Sequence, residues 1–347
     1  MLQNRNPVPA YCLSIHARYR CAHSGVCCTA GWPIPAEPPL IDVLRRGGLG
    51  PAWTADRAFK EDEGPDGRFQ VLQTKDGHAC VFLEADRQRC GVHRQAGEDV
   101  LPVACRNFPR VTLLDRRGTF ITLSHFCPTA AALLLDDREI AIVEAPAALS
   151  LNGAAEGLDA TAVLPPLLRP GMLTDPDGYG SWEREAVATF NDRNRGARAA
   201  LAVIAAATDD VRAWQPGGDS LATRVSDAFH RARNGPAPPG AEPSSLDRGI
   251  KAFLAAHLFA SWSAYQDGGL AGVVRAVDNA HATVMRELLG RRSLGGDGLG
   301  RRSLGEGGSH APFIAAVRAA DFRLRHSRTD VRPRSLPSLR VHRHPVR

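Results

Sequence analysis

Hydrophobic residues recur every three to four positions through much of the second half of the chain, which is the period of a helix with one buried face. The clearest examples are residues 246–266 and 270–289. Residues 181–214 and 312–326 show the same apolar stripe. We therefore predict helices in all four segments, packed through their apolar faces.

The first half of the chain has shorter patterns. A helix is predicted over residues 36–46, because its apolar positions share one face and the pair Gly47 and Gly48 ends it. Another helix is predicted to begin near residue 129. Alternating polar and apolar residues predict strands instead over 68–74 and 79–83, with a turn at 76–77, and over 110–114 and 119–124, with a turn at 115–118.

Together these patterns predict an α+β protein that is mainly helical, with a small irregular β-hairpin domain followed by an all-α half. A direct repeat, LGRRSLGGDG followed by LGRRSLGEGG, lies between the last two predicted helices, and its glycine content favours a flexible insert. The predicted segments are a cysteine-rich metal-binding domain (1–145), a helical domain (146–290), the Gly-rich insert (291–309), a closing helix (310–327) and an Arg-rich disordered tail (328–347).

The formal charge of +6 is concentrated at the end of the chain. Nine Arg and two Asp lie in residues 318–347, so the preceding chain is nearly neutral. This distribution argues against a nucleic-acid-binding surface in the folded body. No apolar run approaches the roughly 18 residues of a membrane span, and the N-terminal residues lack the apolar core of a signal peptide. We therefore expect a cytoplasmic protein with no membrane partner, and its oligomeric state stays open.

The eight cysteines all lie within the first 127 residues. Metal or iron–sulfur ligation uses four or more thiolates brought together by folding and best accounts for this clustering. Disulfides in an oxidising compartment and unliganded core thiols are the alternatives. The spacings match neither zinc-finger pairs nor ferredoxin runs, so they predict a metal without identifying it. The cysteines are Cys12, Cys21, Cys27, Cys28, Cys80, Cys90, Cys105 and Cys127.

Cys27 and Cys28 are adjacent in the chain. Neighbouring side chains in an extended segment point to opposite faces, so both can serve one metal centre only if the chain turns there. Gly25 permits such a turn. Without a turn, the two thiols would serve two centres.

Three cysteine-containing segments resemble one family. They read YRCAHSGVCCTAGWPIP (19–35), CVFLEADRQRCGVHRQAGEDVLPVACRNFPRV (80–111) and LSHFCPTAAALLL (123–135). They resemble the YkgJ-type cysteine-cluster family, a zinc- or iron-chelating domain, and most of all its flagellin lysine-N-methylase branch. The closing segment IAAVRAADFRLRH (314–326) is similar to the end of that branch. The first cysteine group has fewer cysteines than the branch usually has, and the insert and tail have no counterpart there.

The resemblance implies a metal centre, either an iron–sulfur cluster such as [4Fe–4S] or zinc, and implies S-adenosylmethionine as a second cofactor. It leaves out Cys12, which is either an eighth ligand or a plain thiol. Seven thiolates exceed the four that one zinc ion or one cluster uses, so a second centre or spare thiols would accommodate the rest. The implied metal ligands are Cys21, Cys27, Cys28, Cys80, Cys90, Cys105 and Cys127.

Several residues near the cysteines have two interpretations. Arg106 and Arg110 would either offset thiolate charge and bind a carboxylate, such as that of S-adenosylmethionine, or form surface ion pairs. His93 and His125 are metal-ligand candidates by spacing, with a role beside the centre or in packing as the alternative. Trp32 is predicted to cover the cysteine region and exclude water.

Two functions follow. The first is a protein lysine N-methylase that uses S-adenosylmethionine and acts on a flagellin-like protein; this activity is implied by the resemblance alone, because no Rossmann-type or other nucleotide-binding motif is present. The second is a non-enzymatic zinc- or iron-binding module for structure, metal handling or electron transfer. The residues by themselves predict the metal in both functions and identify no catalytic residue.

Overall fold

The computed structural model describes residues 9–49, 54–64, 67–86, 89–149, 157–235, 246–266, 268–294 and 310–326. Helices and strands are mixed in it, in agreement with the predicted α+β class. The helices are α1 (Pro38–Arg45), α2 (Ala55–Ala58), α3 (Gly91–Ala96), α4 (Val103–Asn107), α5 (Pro128–Leu133), α6 (Pro176–Thr189), α7 (Ala197–Arg212), α8 (Leu221–Asn234), α9 (Asp247–Leu258), α10 (Gly269–Leu294) and α11 (Ala311–Asp321).

The largest sheet has five short strands in the order β8-β1-β7-β6-β9. β6 and β7 form an antiparallel hairpin, β1 lies parallel to β7, and β9 lies parallel to β6. Three two-stranded sheets pair β2 with β3, β4 with β5 and β10 with β11. The strands are β1 (Ala10–Leu13), β2 (Phe59–Gly64), β3 (Gly67–Leu72), β4 (Thr74–Lys75), β5 (Ala79–Cys80), β6 (Arg110–Asp115), β7 (Gly118–Leu123), β8 (Ile142–Glu144), β9 (Gly157–Asp159), β10 (Leu167–Arg169) and β11 (Met172–Leu173).

Side chains alternate across the five-stranded sheet, as the pleat requires. Leu13 and Phe120 join the main core, which contains the helices α6 to α11. Cys12 and Ile121, their neighbours in sequence, lie on the opposite face in a separate cluster with Cys127. One face of the sheet and the helices therefore share one core. The predicted division into two domains at residue 145 stays a prediction.

A second, small core lies between α1, the β2–β3 hairpin and α3. Among the described residues it contains eight buried hydrophobic side chains, against forty-four in the main core. It borders the cysteine-containing loops. Its members are Leu40, Leu44, Leu49, Ala58, Phe59, Leu72, Phe82 and Val92.

The structure confirms the predicted helix near 36–46, the hairpin over 110–124 and the closing helix. The strand predicted over 68–74 exists as β3, but it pairs with β2, while the predicted turn at 76–77 joins only the two-residue strands β4 and β5. The helix predicted over 181–214 is two helices, α6 and α7, because the chain breaks at Asn191–Gly196 (NDRNRG), a polar, glycine-ending run with weak helix propensity.

The prediction of an all-α second half is wrong in detail, because β9, β10 and β11 lie beyond residue 146. These strands have only two or three residues, too few to show an alternating pattern in sequence. The start of the predicted insert continues helix α10, and its residues 295–309 lie outside the described residues, as does the predicted tail from residue 328. No helix in the described part of the chain is both long and apolar enough to cross a membrane.

Candidate metal centre

Seven of the eight cysteines line one cavity of about 440 Å³ between the small core and the five-stranded sheet. They come from loops and the ends of short elements far apart in sequence. They are the same seven that the resemblance assigns as ligands: Cys21, Cys27, Cys28, Cys80, Cys90, Cys105 and Cys127.

Cys27 and Cys28 sit on a single 3-10 turn over Val26–Thr29. Gly25 precedes it with φ of 67°, in the left-handed region that favours glycine. This is the turn that the sequence required for two adjacent thiols to serve one site. Their sulfurs lie 4.0 Å apart.

Cys80 and Cys90 pack against the small core and line the cavity beside this turn. Cys80 ends β5, and Cys90 forms a β-bridge with Leu83 before α3 begins. The backbone N–H groups of Val92 and His93 hydrogen-bond the Cys90 sulfur, and this contact favours its thiolate. Burial raises the pKa of Cys80 to about 11 in the metal-free protein.

The four thiols of Cys27, Cys28, Cys80 and Cys90 are close enough to change one another's ionisation. A hydrogen bond with Cys28 lowers the pKa of Cys90 to about 7 and also lowers that of Cys27. The same contacts with Cys27 and Cys90 raise the pKa of Cys28. Crowded thiols of this kind cannot all ionise without a cation, so a bound metal would stabilise the thiolates and release their protons.

Cys21, Cys105 and Cys127 line other parts of the cavity wall. Cys127 is buried before α5, and its sulfur lies 3.8 Å from the Tyr19 hydroxyl. Cys21 also influences Tyr19, whose pKa is raised by burial first and then by these two thiols. Cys12 is fully buried in β1 away from the cavity, and burial raises its pKa to about 12. Its position supports the plain-thiol interpretation.

Arg106 and Arg110 both line the cavity but differ in their partners. Arg110 donates to three backbone carbonyls, those of Leu149 at 2.9 Å, Ala148 at 3.2 Å and Arg106 at 3.3 Å. Among the described residues, no acceptor is found for the Arg106 side chain. Arg110 therefore holds the wall in place, and Arg106 is the guanidinium that can meet an anionic ligand.

His93 lies three residues after Cys90 and lines the cavity. Its ring centroid is 5.5 Å from that of His23, which also lines the cavity. Both imidazoles can supply nitrogen ligands or hydrogen bonds beside the thiols. His78 also lines the cavity, and its Nδ1 contacts the Asp76 carbonyl at 2.8 Å.

Trp32 covers one side of the cavity and belongs to an aromatic cluster. Its ring centroid lies 5.6 Å from Phe108, 5.4 Å from Phe126 and 4.6 Å from His326. The indole thus joins the cysteine cavity to the segment that follows α11. Its predicted role of excluding water stays a prediction.

His125, a ligand candidate by spacing, does not line the cavity. It is fully buried, as is Asp321, and both lie beside the mostly buried His257; ligand atoms of the three lie within 4.8 Å of one another. Burial lowers the pKa of both histidines, that of His257 to about 4, so both imidazoles are neutral near pH 7. Sequence spacing could not predict this group, because its members lie 64 to 196 residues apart, in helices α9 and α11 and in the loop between β7 and α5.

Comparison of the chain with protein-family models, with curated proteins and with solved structures finds no match.

Proposed function

We propose that this protein binds a metal centre through cysteine thiolates, an iron–sulfur cluster or zinc, with Cys27, Cys28, Cys80 and Cys90 as the ligands. The observation that carries this proposal is the convergence of seven cysteines on one cavity, four of them in mutual electrostatic contact. Two thiolates of a tetrahedral zinc site lie about 3.8 Å apart, close to the 4.0 Å between Cys27 and Cys28. The donor set therefore fits a sulfur-liganded metal.

Anaerobic purification followed by analysis of iron, sulfide and zinc tests this proposal. Iron and sulfide in equal amounts, with visible absorption, would support the cluster. Stoichiometric zinc in a colourless protein would support the zinc form and exclude the cluster. Protein that is folded but metal-free after reconstitution with both would contradict the proposal.

The activity we propose for this centre is S-adenosylmethionine-dependent N-methylation of lysine on a flagellin-like protein. The resemblance of the cysteine segments supports it, and so does a cavity of about 440 Å³, within the range of small-molecule sites. The methyl group would leave the sulfonium for a neutral lysine Nζ, giving S-adenosylhomocysteine, methyl-lysine and one released proton. Arg106 would bind the carboxylate of S-adenosylmethionine.

Calorimetric titration with S-adenosylmethionine, and mass spectrometry of a flagellin-like substrate for added methyl groups, test this activity. Arg106→Gln should weaken S-adenosylmethionine binding about tenfold, as expected for a lost charge-assisted hydrogen bond. Arg110→Gln is the matched control and should lower stability through the lost carbonyl contacts while retaining more of the affinity. If the metal-loaded protein does not bind S-adenosylmethionine, the methylase is excluded. The second candidate function, a non-enzymatic metal-binding module, then remains, and the zinc-like distance between the Cys27 and Cys28 sulfurs favours it independently.

A further inference from the structure

The three side chains of His125, His257 and Asp321 come together where the end of the β7 strand, helix α9 and helix α11 meet. We propose that they form a second metal site, separate from the cysteines, that binds a divalent first-row transition ion. Two imidazoles and one carboxylate are a ligand set that such ions use in proteins, with further coordination positions left open. This proposal does not depend on the function of the cysteine cavity.

The distances suit one ion. The Asp321 Oδ1 atom lies 3.3 Å from His257 Nε2 and 3.7 Å from His125 Nδ1. Ligand atoms about 2.0–2.1 Å from a tetrahedral metal lie roughly 3.3–3.4 Å from one another. Small side-chain rotations would therefore bring all three atoms onto one ion.

The two histidine nitrogens that face Asp321, His125 Nδ1 and His257 Nε2, are buried and make no hydrogen bond of good geometry within the described chain, although both are in electrostatic contact with the carboxylate. A contact of 3.7 Å is too long for a hydrogen bond, so the carboxylate does not satisfy His125 Nδ1. Buried polar atoms without a partner are rare because their desolvation is not compensated. A cation between the three side chains would provide the missing partner.

The surrounding contacts orient the proposed ligands. His125 Nε2 lies 3.2 Å from Nε2 of the buried His16, so His125 can donate its outer N–H there and leave Nδ1 free for a metal. Asp321 Oδ2 accepts from the Ser124 hydroxyl at 2.6 Å and from the Phe126 backbone N–H at 3.2 Å. These donors hold one carboxylate oxygen and direct the other toward the histidines.

Arg325 is a cation that lies beside this carboxylate. Its Nε donates to Asp321 Oδ1 at 3.2 Å. Its side chain is 19% exposed, and that of His257 is 11% exposed, so the group opens to solvent on this side. An incoming ion would reach Asp321 here, and Arg325 would move away from it because the two positive charges repel.

Titration with Co²⁺ tests the site in the full-length protein, purified anaerobically with its cysteine centre loaded. Cobalt bound by nitrogen and oxygen shows only d–d bands, whereas thiolate ligation adds charge-transfer absorption. We expect one equivalent of cobalt with d–d bands alone. His257→Gln should weaken this binding about 100-fold or more, since loss of even an outer-shell partner costs 10–100-fold. His281 is a half-buried histidine on helix α10, outside the proposed site. His281→Gln should therefore leave cobalt binding unchanged.

Arg325→Gln supplies a test that does not depend on loss of binding. Removing the competing charge should tighten cobalt binding about tenfold. The melting temperature of each variant shows that it is folded, and Cys90→Ala should keep the d–d signal. The proposal is overturned if folded protein binds no cobalt beyond its cysteine centre, if the added cobalt shows thiolate absorption, if His257→Gln binds as tightly as the unaltered chain, or if Arg325→Gln fails to tighten binding.

Discussion

The cysteine region and the helical core are stabilised in different ways. Around the cysteines, short strands and short helices enclose a core of eight described hydrophobic residues, and four of these also line the cavity. The helical region buries large aromatic residues such as Trp182 and Phe253 among long helices. Hydrophobic burial alone can stabilise the second region, whereas so small a core usually requires a metal or another cross-link.

Loss of the proposed cysteine-bound metal should have the largest effect and should fall on the cysteine region alone. We expect Cys28→Ala to abolish metal binding at the cysteine centre, because it removes one of the four proposed ligands. The cysteine region should then lose stability, because structural metals contribute on the order of 10 kcal/mol to folding. Hydrogen exchange should then show loss of protection in β2 and β3 and persistence of protection in α7 and α9.

Cys12→Ala is the control for that experiment. Its thiol is buried away from the cavity, so the variant should keep its full metal content and lose only about 1 kcal/mol of stability. Equal metal loss in both variants, or uniform loss of protection in Cys28→Ala, would contradict the distinction between the regions.

Phe229→Ala, in helix α8, should have the opposite distribution. Its ring is fully buried in the main core, so we expect a loss of about 3–5 kcal/mol in the free energy of unfolding. Chemical denaturation measures this loss, and metal analysis of the folded fraction should give an unchanged metal-to-protein ratio. A lower ratio in that fraction would mean that the cysteine centre depends on the helical core.

Trp32→Ala addresses the contact between the two regions. The indole is only partly buried, so we expect a smaller loss of about 2 kcal/mol. Removal of its cover should also speed the extraction of metal by a chelator, measured as a first-order rate. Trp262 is an exposed tryptophan that does not line the cavity, so Trp262→Ala should leave the rate of metal extraction unchanged. If both variants lose metal at the same rate, Trp32 is not the cover.

Truncation after His326 should have the smallest effect. It removes the Arg-rich end but keeps Asp321 and Arg325. We expect unchanged metal content and melting temperature, and loss only of salt-sensitive binding to anionic partners. A drop in metal content would assign the tail a structural role.

Local sequence signals predicted many of the elements, because helix period, turn residues and alternation act over a few positions. The 110–124 hairpin and the α1 helix follow from such signals. The pairing of β3 with β2 does not, since the sequence 59–64 (FKEDEG) is too polar to announce a strand. The sequence also contains the signal for helix α8, which the predictions above leave out: the N-cap residue Ser220 is followed by an apolar stripe at Leu221, Val225, Ala228 and Phe229.

The sequence by itself determined the kind of chemistry: eight cysteines in the first 127 residues and a glycine that lets Cys27 and Cys28 turn together. Only the tertiary structure decided which residues meet. It separated Cys12 from the other seven thiols, engaged Arg110 in carbonyl contacts while leaving Arg106 beside the cavity, and joined His125 to His257 and Asp321. The physical reason is range: turns and helix faces depend on neighbouring residues, whereas burial, desolvation and ligand geometry depend on side chains that the fold brings together from distant positions.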